Sequence, residues 1–146
     1  MVAELLLGGR PIALEEVAGV ARGSASVGLS AEGRGRMLRS YARVQEVLAK
    51  RQVIYGVSTG FGSLASTFIE PEQSARLSRN LIVSHAAGVG PPCPNETVRA
   101  MMLLRANALA QGASGCRPVL VETLGQMLER GVTPVVPRQG SCGSSG

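Results

Sequence analysis

The sequence has no Asp and no Trp, and only one His, one Lys and three Cys in 146 residues. Each shortage removes a class of function. Without Asp there is no Asp-rich calcium loop and no Asp-containing catalytic triad. A single His and the separated Cys93, Cys116 and Cys142 leave too few ligands for a zinc site, and no two cysteines form a CxxC pair. No metal is expected. Odd and unpatterned, the cysteines read as inert thiols of a reducing, cytoplasmic setting. Two Tyr and two Phe are too few stacking platforms for sequence-general binding of single-stranded nucleic acid. No 18-residue apolar run and no charged-then-apolar leader occurs. Neither a membrane partner nor a secretory signal is therefore expected.

What is present is a chain that is 45% hydrophobic with a net charge of +5. It can build a core and is expected to form a single domain over residues 1–146. The positive charge comes from Arg residues spread from Arg10 to Arg138 with no block of five. Dispersed in this way they read as solvated helix faces, not as a nucleic-acid surface.

Periodicity predicts a mainly α chain. Residues 4–13 suggest a short strand and a Gly-Gly turn, and residues 14–22 a short helix. Gly23 to Gly28 reads as a small-residue loop. Ser30 suits the N-cap of a helix running to about Lys50, with Met37, Leu38, Tyr41, Val44 and Leu48 on its apolar side. Residues 51–55 are briefly strand-like. Pro71 fits the first turn of a further helix that Gly88–Pro94 ends. Asn95 is the expected cap of the next, with Val98, Met101, Met102, Ala106 and Leu109 on one side. Pro118 opens a last helix that closes at Arg130–Gly131.

Three stretches carry unusual chemistry. Tyr55–Ala65 is a Gly-rich loop with one phenol at its start. Gly60-x-Gly62-x-x-Ala65 matches a dinucleotide fingerprint, but no acid follows at the distance a ribose needs, so phosphate cradling is rejected. Its glycines predict a mobile loop able to close over a site. His85 stands where a helix runs into a Gly loop, and on pattern alone reads as structural. Ser144-Ser145-Gly146 can close on itself. Attack of the Gly146 amide nitrogen on the Ser144 carbonyl carbon, with loss of water there and of the Ser145 hydroxyl, leaves a methylidene-imidazolone. Gly keeps the attacking nitrogen unhindered. Ala113-Ser114-Gly115 has the same form.

Taken in order, YGVSTGFG, NLIVSHAAGVG, the Gly112-x-Ser114-Gly115-x-Arg117 segment and TPVVPRQGSCGSSG resemble the N-terminal part of the histidine and aromatic amino-acid ammonia-lyases. The resemblance runs from about Leu6 to Gly146. It implies the N-terminal portion of a helical, fumarase/aspartase-like lyase fold with short strands and Gly-rich loops. It identifies Ser144, Ser145 and Gly146 with the ring-forming triad, Ser144 standing where the family usually has Ala. Ala113-Ser114-Gly115 falls in a different family motif. Tyr55 matches the loop base acting at the substrate β-carbon, His85 the residue contacting the substrate side chain, and Gly56, Gly60 and Gly62 the loop glycines. A phenol's ordinary pKa is about 10, so such a base needs donors or positive charge nearby. Ser58 stands where the family loop often has Asn or Thr.

The resemblance further implies a reaction without metal or external cofactor. The amine of a small amino acid adds to the methylidene, a β-proton is removed, and ammonia departs. The Ser84-His85-Ala86-Ala87-Gly88 form is closer to the histidine branch, which converts L-histidine to trans-urocanate. The phenylalanine and tyrosine lyases and the aromatic aminomutases are the enzymatic alternatives. A non-catalytic binding or assembly module with the same fold is the alternative class. Family members are several times longer, form homotetramers, and draw site residues from later segments and neighbouring subunits. The expectation is a chain cut directly after its triad, inactive alone, with the triad uncyclised.

Overall fold

The structure, a computed structural model, describes residues 3–60, 62 and 65–141. Cys142 and the Ser144-Ser145-Gly146 triad lie outside the described residues. The chain divides into two compact units, Met1–Arg43 with Pro92–Val136, and Val44–Pro91 with Pro137–Gly146.

In the first unit, alternation decides the opening strand. Along β1 (Ala3–Leu7), Leu5 and Leu7 are buried while Glu4 and Leu6 are exposed, the period-two pattern of a strand with one covered face. Helix α1 (Leu14–Ala21) crosses over, and β2 (Ala25–Leu29) returns parallel to β1 with Leu5 opposite Val27 and Leu7 opposite Leu29. The loop expected at Gly23–Gly28 is thus largely a strand. Small residues hide this in the sequence and permit it in the fold. A Cβ on Gly28 would stand 2.6 Å from Glu4 Oε1 and 2.9 Å from Leu6 Cδ2, so the neighbouring side chains lie over the glycine.

Helix α2 (Ala31–Ala49) starts as expected, with Ser30 Oγ accepting from the Gly33 N–H at 3.0 Å. Met37 and Val47 are its buried hydrophobic residues, whereas Leu38 is half-exposed. After α3 (Pro71–His85) of the second unit, the first unit resumes. Helix α4 (Asn95–Ala110) packs on α1 and on α5 (Val119–Glu129), and α5 covers β2. Asn95 is the first helical residue and not the cap. Pro94 occupies the cap position and its carbonyl accepts from the Val98 N–H. Leu7, Val20, Met37, Val98, Leu103 and Val121 form the centre of the core. On α4 the buried side is Val98, Met102, Leu103, Ala106 and Ala110, while Met101 is half-exposed. Met101 and Leu104 line an apolar groove of about 560 Å³ with Leu124, Pro134 and Val136. Helix α5 ends as the sequence predicts, on Gly131 at φ 66°, with the Val132 N–H bonded to the Met127 carbonyl.

In the second unit, α2 closes on Arg51 at φ 51°. The Gln52 and Arg51 N–H groups return to the Val47 and Leu48 carbonyls, a Schellman closure with Arg where glycine is usual. The Arg51 guanidinium lies 4.9 Å from the centroid of the Phe68 ring and pairs with Glu70. These contacts offset a left-handed conformation that costs about 1–2 kcal/mol in a non-glycine residue. The strand-like pattern at residues 51–55 is not realised, because the backbone turns on itself at Ile54. Helix α3 begins at Pro71 and ends at His85, as its proline and following glycines predict. The Gly88–Pro94 stretch holds a short strand, β3 (Val89–Pro92), paired with β4 (Pro137–Gln139). Neither was legible as a strand.

Candidate active site

Tyr55 sits at the second position of a tight turn. The Ile54 carbonyl accepts from the N–H groups of Val57 and Ser58, both at 3.0 Å, and Gly56 takes φ 71° at the third position. A type II turn requires that sign of φ there, and glycine supplies it without a Cβ clash. Two buried hydroxyls hold the turn. Ser58 Oγ accepts from the Ile54 N–H at 2.9 Å and donates to the Gln52 carbonyl at 2.5 Å. Thr59 Oγ1 accepts from the Gly56 N–H at 3.2 Å and donates to the Gly60 carbonyl at 2.9 Å. Both residues are under 5% exposed. A second layer ties the loop forward: the Gly60 N–H reaches the Thr67 carbonyl, the Ile69 N–H reaches the Ser58 carbonyl, and Thr59 bridges to Phe68. Gly62 takes φ 59°. Glycine content alone predicted mobility; between Gln52 and Gly60 the backbone is bonded on both sides of Tyr55. The Tyr55 side chain itself is 63% exposed.

His85 closes α3. Its Nδ1 lies 2.9 Å from the Leu81 carbonyl and 3.0 Å from Ser84 Oγ. With the proton on Nδ1 donated to that carbonyl, Nε2 is left as an acceptor. The glycines after His85 have a specific task. Gly88 meets Pro137 and Gly90, at φ 82°, meets the Gln139 side chain. They let β4 approach the segment that follows His85. Ser144 lies five positions beyond Gln139 in the sequence.

A family model for aromatic amino acid lyases matches residues 12–146. The chain belongs to the aromatic amino acid lyase family. The histidine ammonia-lyase of Anaeromyxobacter dehalogenans (strain 2CP-C) is 51% identical over 142 residues, covering 97% of this chain and 28% of that protein. Among solved structures, the tyrosine aminomutase of Streptomyces globisporus superposes with a TM-score of 0.88 at 34% identity, covering 95% of this chain and 26% of the other. Histidine ammonia-lyase from Trypanosoma cruzi gives 0.84 at 34% identity, over 94% and 26%. The chain thus spans about a quarter of the length of these relatives. The mainly helical fold that the motifs implied is the fold of the family.

Within this chain, the other triplet of ring-forming pattern, Ala113-Ser114-Gly115, is engaged elsewhere. The Gly115 N–H donates to Ser40 Oγ at 2.9 Å, so the nitrogen that cyclisation would need is already bonded. Cys93 and Cys116 are half-buried free thiols. Among the described residues no cluster of His, Cys, Asp or Glu is arranged to hold a metal ion, and no helix is long and apolar enough to cross a membrane.

Sequence reasoning missed the work of two arginines. Arg99 donates to the carbonyls of Val20, Ala21 and Leu128, which join the C-terminal ends of α1 and α5 to α4. Arg36 pairs with Glu32 and donates to the carbonyls of Gln111 and Gly8. In the sequence both are members of a dispersed set of arginines, with nothing to mark their carbonyl partners. Ser58 and Thr59 were equally silent, since a buried hydroxyl has no sequence signature.

Proposed function

We propose that the chain carries the Tyr55 base, the His85 side-chain contact and the Ser144-Ser145-Gly146 electrophile precursor of a histidine ammonia-lyase, which removes ammonia from L-histidine to leave trans-urocanate. The 51% identity to the Anaeromyxobacter dehalogenans histidine ammonia-lyase, over nearly all of this chain, carries this reading. It takes a free amino acid as substrate, a homotetramer as the assembly of the full-length enzyme, and the cytoplasm as its location. Residues 1–146 are read as the N-terminal lyase domain, with Gly56, Gly60 and Gly62 as the loop glycines.

The residue chemistry fits a methylidene-imidazolone. Ser145 has the hydroxyl that must leave, Gly146 has an unhindered amide nitrogen, and the rival triplet has its Gly115 nitrogen bonded to Ser40. The group supplies an electrophile that takes up the substrate amine and makes it a better leaving group. No metal is needed. Tyr55, as phenolate, would accept the proton from the substrate β-carbon. His85 Nε2, as acceptor, would meet an N–H of the substrate imidazole. Together these contacts would hold the β-carbon against the phenol oxygen while the amine leaves.

The test replaces the matching segment of the Anaeromyxobacter dehalogenans enzyme with residues 1–146. The chimera is expected to form urocanate from histidine, read by its ultraviolet absorbance, and Tyr55→Phe is expected to lower kcat at least ~100-fold. A folded chimera that leaves histidine untouched overturns the proposal. The tyrosine aminomutase superposition favours a second reading, in which the amine returns to the β-carbon. A β-amino acid product from tyrosine, in place of urocanate, would establish it.

A further inference from the structure

We propose that Ser84 is a positioning residue for His85, fixing the ring proton on Nδ1 so that Nε2 is kept as an acceptor for the substrate side chain; this rests on the reading of His85 as the side-chain contact. Three polar atoms meet in the last turn of α3. His85 Nδ1 lies 2.9 Å from the Leu81 carbonyl oxygen and 3.0 Å from Ser84 Oγ, and Ser84 Oγ lies 3.0 Å from the same carbonyl. A carbonyl oxygen can only accept, so its closeness to Nδ1 places the ring proton there. The Ser84 hydroxyl then has one consistent role. It donates its proton to the Leu81 carbonyl and turns a lone pair to the Nδ1–H. The opposite tautomer fails in this triangle. A bare Nδ1 would set its lone pair against the Leu81 oxygen, and the single Ser84 proton could serve only one of the two.

The device is local, because positions three and four residues apart share one face of a helix. Leu81, Ser84 and His85 therefore meet wherever this turn is helical. Among the described residues, Nε2 has no hydrogen-bond partner. An unconstrained neutral histidine ring carries its proton mainly on Nε2, so the bonds at Nδ1 must reverse that preference. The consequence concerns the substrate. An imidazole offers one N–H and one bare nitrogen. A contact free to change tautomer would take that ring in two ways, through either nitrogen. A contact held with its proton on Nδ1 takes only the one that presents the N–H. Ser84 touches no reacting atom in this account and acts through His85 alone.

His85 is the single histidine of the chain, so the nitrogen-15 spectrum of labelled imidazole reports on it alone. The measurement uses the 146-residue chain about two pH units above the ordinary imidazole pKa of about 6.5, where the ring is neutral. The pyrrole-type and pyridine-type shifts of the two ring nitrogens give the tautomer ratio. The parent chain is expected to carry the proton mainly on Nδ1. Ser84→Ala is expected to lower the ratio of Nδ1–H to Nε2–H roughly two- to fivefold, the effect of one exposed hydrogen bond. Ser84→Thr keeps the hydroxyl and is expected to hold the parent ratio. Ala favours helix more strongly than Ser, so a shift in Ser84→Ala does not come from fraying of α3. A proton mainly on Nε2 in the parent chain overturns the proposal. So does a ratio that Ser84→Ala leaves unchanged, or one that falls as far in Ser84→Thr. The ratio needs no turnover. A chimera that leaves histidine untouched does not alter it, and a proton found on Nε2 leaves urocanate formation by the chimera to stand on its own.

Discussion

A Cβ placed on Gly88 would stand 2.8 Å from Pro137 Cγ. The residue three places after His85 is therefore in direct contact with the first residue of β4. A proline ring is stiff and cannot swing away. Gly88→Ala is expected to push β3 and β4 apart, destabilising the chain by about 1–3 kcal/mol in urea unfolding. Adding Pro137→Ala should recover part of the loss. An equal loss in the double variant would mean that the two residues do not share a contact.

Arg99 holds the ends of two helices with one guanidinium. Lys at this position keeps the charge but lacks the fork that reaches three carbonyls. Arg99→Lys is expected to cost about 2 kcal/mol, from charge-assisted bonds lost at partly buried carbonyls. The same urea titration reads it, with the slope unchanged. A stability equal to the parent chain would sink the assignment.

Glu16 accepts from the Arg10 guanidinium and from the Ala13 N–H at the start of α1. Arg10 first, then the Ala13 amide, lowers its carboxyl from the ordinary 4.5 to about 2. A lowered folded-state pKa contributes stability above the unfolded value, and that contribution is lost as pH falls through the folded one. The melting temperature should therefore fall between pH 4.5 and about 2, and Glu16→Gln should flatten that part of the curve. Carboxyl chemical shifts would report the Glu16 midpoint directly. A midpoint near 4.5 would contradict the pairing.

Two triplets have the ring-forming pattern, and only one is read as the precursor. In the chimera, Ser145→Ala is expected to abolish urocanate formation and raise the intact mass relative to a protein that has lost two waters. Ser114→Ala is expected to keep urocanate formation and the loss of two waters, the mass changing only by the one oxygen removed. The opposite result would move the electrophile to Ala113-Ser114-Gly115.

Much of the helical order was legible because its signals are local. Pro71, Pro118 and the Arg130–Gly131 stop act on their own backbone within one turn. Ser30 reaches Gly33 across three residues. The strands were not legible for the opposite reason. Ala25–Leu29 contains small residues that look like a loop, and becomes β2 only because β1 lies beside it. Val89–Pro92 and Pro137–Gln139 are each too short to carry a period, and they pair across more than forty residues. Asn95 was misassigned as a cap because a good capping residue immediately follows Pro94.

The candidate site divides along the same line. Residue order pointed to the proposed ring-forming triad, because a backbone-derived electrophile needs particular atoms in consecutive positions, and the family resemblance added the proposed roles of Tyr55 and His85. The proposed chemistry requires no Asp and no more than one His. Tertiary structure decided how the backbone turn around Tyr55 is held, which arginines bind helix ends, and why Gly88 and Gly90 are glycines. Each of these depends on a partner distant in the chain or on a hydroxyl turned inward. Neither leaves a mark on the residues it joins until the backbone brings them within bonding distance.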